Sequence, residues 1–149
     1  MSLIVQKFGG TSVADIDRIR VVAKKIAATM VAGNQVIVVA SAMSGETNRL
    51  IELASGFDSS KGLFSDALLS TGEQVTIALL SMALKENGFK VVPLNGWQVP
   101  ICTDESYGKA RIEDVGTEKL TSLIGSGVIP VVAGFQGIAL SGAVTTLGR

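Results

Sequence analysis

Apolar positions along this chain follow two rhythms, and the rhythms alternate. Residues 3–8 open with an apolar run, Leu3 to Val5, and read as a buried strand. Ile16, Ile19, Val22, Ala23, Ile26, Ala27 and Met30 then recur at helical spacing, which predicts an amphipathic helix over roughly residues 14–32. Ser12 and Asp15 have the spacing of a capping box, and Gly33-Asn34 supplies the stop. Val36 to Ala40 is unbroken apolar sequence and predicts a second buried strand. A strand, helix and strand of these lengths form a βαβ unit with a right-handed crossover.

The alternation continues downstream. Asn48 to Ala54 predicts a short helix, and Gly56 to Gly62 is polar and loop-like. Leu63 to Leu84 predicts a helix interrupted at Gly72 and ended by Asn87-Gly88. Phe89 to Leu94 reads as a third strand, and residues 95–110 read as irregular. Asp114 to Ile124 predicts a helix and Val128 to Ala133 a fourth buried strand. Gln136 to Leu140 and Ala143 to Thr146 suit a hairpin around Ser141-Gly142. Buried strands alternating with helices argue for an α/β fold, a three-layer αβα sandwich with a mainly parallel sheet.

Composition narrows the chemistry. A chain of 149 residues suits one domain, and an apolar content of 47% can build its core. Thirteen basic residues balance thirteen acidic ones, which gives no electrostatic case for nucleic acid or an anionic membrane. The longest strongly apolar runs are too short to span a bilayer, and the N-terminus lacks the pattern of a signal peptide. A single cysteine, Cys102, excludes an intrachain disulfide framework and fits the cytoplasm. No histidine is present, so Ser-His-Asp and Cys-His catalysis are excluded within the chain. Lysine, arginine, carboxylates, hydroxyls and backbone dipoles remain, an inventory that suits phosphoryl transfer.

Residues 5–12, Val-Gln-Lys-Phe-Gly-Gly-Thr-Ser, place such groups together. A strand runs into a Gly-rich turn and then a helical segment, so backbone N–H groups can approach a phosphate while Lys7 adds a full charge. The lysine precedes the glycines, so this is not the P-loop spacing. In a parallel sheet the loops after the first, second and fourth strands share one end. Those loops, Lys7 to Ser12, Ser41 to Thr47 and Gly134 to Gly137, are rich in glycine or small polar residues, and their convergence predicts one site.

Taken singly, the residues leave alternatives. Lys7 is either a solvated strand end or an anion ligand. Gly9 and Gly10 serve a tight turn, a cradle, or both. Thr11 is a cap or a phosphate contact, and Ser12 is chiefly a cap, each cap contributing about 1 kcal/mol. Ser41 reads as a turn hydroxyl at the end of the second strand, and Thr47 lies near a helix start, where it can cap. Ser70-Thr71-Gly72-Glu73 is a capping-box pattern that by itself accounts for Glu73. Gly72 amid helix formers costs roughly 1 kcal/mol relative to alanine and points to a close approach there.

Five stretches, in order along the chain, resemble the aspartokinases of the amino-acid kinase family. They are Lys-Phe-Gly-Gly-Thr-Ser at 7–12, Val-Val-Ala-Ser-Ala-Met-Ser-Gly-Glu-Thr-Asn at 38–48, Ser-Thr-Gly-Glu-Gln at 70–74, Val-Ala-Gly-Phe-Gln-Gly at 132–137 and Thr-Thr-Leu-Gly-Arg at 145–149. The resemblance implies ATP-dependent phosphorylation of the side chain of L-aspartate to 4-phospho-L-aspartate, on the route to lysine, threonine and methionine. It also implies Mg2+ carried by the nucleotide.

The site residues follow from the same resemblance. Lys7 is the catalytic cation on the transferring phosphate. Phe8, Gly9, Gly10, Thr11 and Ser41 lie about the ATP phosphates. Ser41, Thr47, Glu73 and Arg149 hold aspartate, with Glu73 on its ammonium group and Arg149 on its α-carboxylate, a task suited to a planar bidentate donor. No metal ligands are implied; Asp104, Glu105 and Asp114 read as surface or capping groups.

In the family, the last motif continues into Gly-Gly-Ser-Asp, a nucleotide-binding half and regulatory ACT domains. Residues 1–149 are therefore expected to be the N-terminal, substrate-side half of a kinase domain. Alone, that half is expected to be inactive and prone to self-association, within a cytoplasmic parent that is a homo-oligomer. Two other readings stay open. One is a sibling kinase acting on glutamate or a related substrate. The other is a non-catalytic amino-acid-binding module.

Overall fold

The computed structural model describes residues 1–148. Its central sheet contains four parallel strands, β1 (Leu3–Phe8), β2 (Gln35–Ala40), β6 (Ile129–Ala133) and β3 (Val91–Leu94), in the order β1-β2-β6-β3. Strands β1 and β2 pair from Leu3↔Gln35 to Phe8↔Ala40, and helix α1 (Ile16–Val31) connects them. Helices α1 and α4 (Thr71–Glu86) cover one face. There Ile19, Val22 and Ile26 meet Val36, Val38, Leu80, Leu84, Ile129 and Val131. Full burial of each large aliphatic side chain contributes about 1.5–3 kcal/mol. Helix α5 (Thr117–Gly125) covers the other face, with Leu120, Leu123 and Ile124 against a cluster that includes Ile37, Leu94 and Val132. The architecture is the three-layer αβα sandwich expected. Strands β2 and β6 are apolar at successive positions because helices lie on both sides of them.

Strand β1 departs from the expected burial. Leu3 and Val5 are exposed, and α5 packs mainly on β2 and β6. A second, mixed sheet was not anticipated. It has the order β5-β4-β7-β8, built from β4 (Ile101–Thr103), β5 (Ile112–Val115), β7 (Gln136–Ala139) and β8 (Val144–Thr146). Strand β4 thus lies within the stretch read as irregular. Asp114 belongs to β5 opposite Cys102, and the helix expected from Asp114 begins at Thr117. The β7–β8 hairpin forms as expected, with Gly142 at a φ of 85° in its turn.

Helix boundaries differ in two informative places. Residues 10–13 form a separate 3-10 turn, and α1 begins only at Ile16. Its cap is Asp15, which accepts from the Arg18 amide at 2.8 Å, so Ser12 does not cap the helix. The predicted helix over 63–84 is two helices, α3 (Leu63–Leu69) and α4, with the seam at Ser70 and not at Gly72. The Ser70 and Thr71 hydroxyls donate backwards to the carbonyls of Ala67 and Leu68, so the capping box read at 70–73 is not made. Gly72 sits inside α4, where a Cβ would lie 2.9 Å from the Ala42 Cβ, which is the close approach its presence suggested. Leu63–Glu86 has a mean hydropathy of 1.4 over its most apolar stretch, long enough to cross a bilayer. Half of that stretch is buried within the fold, and it carries the buried carboxylates Asp66 and Glu73, as suits a core segment.

Candidate active site

The parallel sheet delivers its loops to one end, and a cleft of about 590 Å³ opens there. Lys7 enters from the end of β1, with Gly10 also in the lining. Ser41 follows the end of β2, and its amide donates to the Phe8 carbonyl at 3.1 Å, which ties the two loops together. A Cβ on Gly10 would lie 3.1 Å from the Ala42 carbonyl oxygen, so the glycine lets the first loop nest against the second. Thr47 lies in the first turn of α2 (Glu46–Ala54), whose cap is Gly45 at a φ of 80°, so Thr47 does not cap the helix. Gly134 and Phe135 close the cleft after β6, and Leu147 and Gly148 close it after β8. The Leu147 amide donates to the Phe135 carbonyl at 3.0 Å.

Of the residues expected at the site, Lys7, Gly10, Ser41, Thr47 and Glu73 line this cleft. Phe8 points instead to the core beneath α1, and Gly9 and Thr11 are exposed outside the lining. Arg149 lies outside the described residues.

Glu73 carries the most unusual electrostatics. It stands in the first turn of α4 and is only 2% exposed. Burial pushes its carboxyl up to about 7, against the lowering effect of its own amide, the Gln136 side chain and the Ala42 amide. A carboxylate in this state is a strong partner for an entering cation, because the cation supplies the charge that the fold withholds. Lys7 provides the opposite sign in the same cleft. The arrangement offers one place for an anionic group and one for an ammonium group.

Two buried polar residues behind the cleft lining were not assigned a role from the sequence. Gln136, fully buried at the start of β7, donates to the Ser70 carbonyl at 2.9 Å and to Glu73 Oε2 at 3.3 Å. Asp66, in α3, accepts from the amide and hydroxyl of Thr146 at 2.8 and 2.9 Å, and from the Gly108 amide at 3.0 Å. Asp66 thereby fixes the end of β8 directly before Leu147 and Gly148. The only sequence signal was a polar residue in an apolar setting. Phe135, inside the 134–137 loop expected at the site, holds a φ of 65° that a non-glycine residue rarely adopts.

The sequence profile of the amino acid kinase family matches residues 2–149. The chain belongs to that family. Over its whole length it is 49% identical to an aspartokinase of Geobacillus stearothermophilus and 53% identical to an aspartate kinase of Pseudomonas putida. It spans 37% and 36% of those two proteins. Aspartate kinase from Synechocystis, 44% identical, superposes with a TM-score of 0.78, covering 97% of this chain and 24% of that one. E. coli aspartokinase III in complex with aspartate and ADP superposes with a TM-score of 0.88 over 99% of this chain and 44% of that one. At 24% identity the E. coli protein speaks to the fold of this amino acid kinase chain alone.

Proposed function

We propose that this chain is the substrate-side part of an aspartate kinase, in which the carboxylate of the aspartate side chain attacks the γ-phosphorus of ATP. The new bond makes an acyl phosphate, and the bond to the departing ADP breaks. The observation that carries the reading is the cleft holding Lys7 and the buried, charge-poor carboxyl of Glu73 together. The kinship with aspartokinases supplies the substrate.

In this reading Lys7 is the point charge on the transferring phosphoryl group, where negative charge must be neutralised as the bonds exchange. Gly10 lets the backbone come close, and the Ser41 hydroxyl is available to either reactant. Glu73 takes the substrate ammonium, Thr47 contacts the substrate from α2, and Arg149 takes its α-carboxylate. The cleft's donors are an ammonium, hydroxyls, backbone amides and one carboxylate engaged by Gln136. That set fits phosphate and amino-acid groups better than a bare divalent cation, so Mg2+ is placed on the nucleotide's phosphates. A cytoplasmic location follows from a chemistry that draws on ATP and an amino acid, and assembly with further copies belongs to the same proposal.

Hydroxylamine trapping of the acyl phosphate tests this reading. The protein would be a longer form that carries the remaining length of its relatives, supplied with ATP, magnesium and a panel of amino acids. The expected result is hydroxamate with aspartate, lost in Lys7→Ala. Hydroxamate with glutamate instead would move the protein to a sibling activity. No product with any amino acid, from a folded protein that still binds aspartate, would leave a binding module in its place.

A further inference from the structure

We propose that Gln136 is a positioning residue for Glu73, and that its amide is locked in the required orientation from outside the cleft by the backbone of Gly96. The inference rests on the reading of Glu73 as the group that receives the substrate ammonium.

Gln136 is 0% exposed, so each polar atom of its side chain needs a partner. Its Oε1 accepts from the Gly96 amide at 3.0 Å, and its Nε2 donates to the Ser70 carbonyl at 2.9 Å and to Glu73 Oε2 at 3.3 Å. These partners allow one orientation. A backbone N–H can only donate and a carbonyl can only accept. Turning the amide over would set N–H against N–H at Gly96, and oxygen against oxygen at both Ser70 and Glu73. The side facing Glu73 is therefore a donor. Gly96 is indispensable to this lock, because a Cβ there would lie 2.6 Å from the Gln136 carbonyl oxygen. Only a bare backbone fits flush against Gln136.

The choice of a neutral donor has a chemical consequence. A lysine or arginine at this position would neutralise Glu73 and compete with an incoming ammonium. Gln136 orients the carboxylate and favours its ionised form without cancelling its charge. The charged groups on the surrounding elements leave this relationship intact. Lys7 stands at the end of β1 in the same cleft, Glu46 on α2 is paired with Arg49, and Asp66 on α3 is engaged by Thr146 and Gly108. On α1, Arg20 pairs with Glu86 at the far end of α4. None of them is among the causes of the Glu73 shift.

The test follows the carboxyl 13C shift of Glu73 through a pH titration of the unliganded 149-residue chain. Gln136→Met, which keeps the length and removes the donor, is expected to raise the Glu73 midpoint by about one pH unit. Gly96→Ala leaves Gln136 in the sequence and is expected to raise it in the same direction, and it serves alone where Gln136→Met does not fold. An unmoved midpoint in a folded variant overturns the proposal. Calorimetric titration with aspartate separates this result from the functional reading. A shifted midpoint without aspartate binding at any pH by the longer wild-type protein sustains the positioning role and removes the ammonium role from Glu73.

Discussion

Replacing Glu73 with glutamine should stabilise the unliganded chain, and the gain should grow with pH. A carboxyl that titrates near 7 in the folded chain and at 4.5 unfolded binds its proton more tightly when folded. Its contribution to stability is therefore fully present below 4.5 and is lost as pH rises through 7. Linkage over that window gives a cost of ionised Glu73 of about 1 kcal/mol at pH 5, about 2 at pH 6 and about 3 at pH 8. Glu73→Gln keeps the shape, can still accept from Gln136 through its carbonyl oxygen, and never ionises. Urea denaturation of both chains at pH 5, 6 and 8 should show the stability difference widening by about 2 kcal/mol across the series. A pH-independent difference, or a variant that loses stability relative to the parent at pH 8, would falsify the assignment of a strained carboxylate. The same variant should bind aspartate more weakly at every pH, so the stabilised protein is the one with the poorer site.

Three further substitutions probe the frame around the cleft. Gly72→Ala gains about 1 kcal/mol of helix propensity, but its Cβ meets Ala42, a backbone-borne methyl that cannot swing aside; overpacking costs about 1–3 kcal/mol, so a net loss is expected in a urea melt. Asp66→Ala strands the amide and hydroxyl of Thr146 and the Gly108 amide, and should cost about 3 kcal/mol or more by denaturant midpoint; a loss below about 1 kcal/mol would mean these donors find other partners. Arg20→Ala removes an ion pair whose side chains are 56% and 61% exposed, and should change stability by less than about 0.5 kcal/mol in the same assay.

The central sheet was legible because burial on both faces writes a continuous apolar word, as in Val36 to Ala40. The same rule misread β1. Leu3 and Val5 carry the composition of a buried strand, yet they stay exposed beside an α5 that packs mainly on β2 and β6. The second sheet left no comparable mark. Its strands are three or four residues long, and Ile101–Thr103 depends on partners at 114 and 138 that no local pattern announces. The cleft was legible as three loops at one end of a sheet, and Lys7, Gly10, Ser41, Thr47 and Glu73 do line it. The Phe8 side chain lies away from the cleft because alternate residues of a strand face opposite ways: Lys7 reaches the cleft, so its neighbour's side chain enters the core. The roles of Asp66, and of Gln136 within the expected 134–137 loop, were not legible for a different reason. Their meaning lies in hydrogen bonds to residues 40 to 80 positions away.

Strand β6 occupies an inner place in the sheet, yet it is the last of the four to be synthesised. Val38 of β2 waits for Val131, and β3 has no neighbour but β6. At about 5–20 residues per second, a ribosome leaves the apolar flank of β2 unpaired for several seconds while the intervening chain emerges. A β2 flank left open over that interval would be an unpaired hydrophobic edge, the kind most easily captured by another copy. The insertion of residues 129–133 closes that edge, and it carries Gly134 and Phe135 into place beside Lys7 in the same movement. Insertion of β6 thus completes the sheet and begins the cleft, which Leu147 and Gly148 close only after β8.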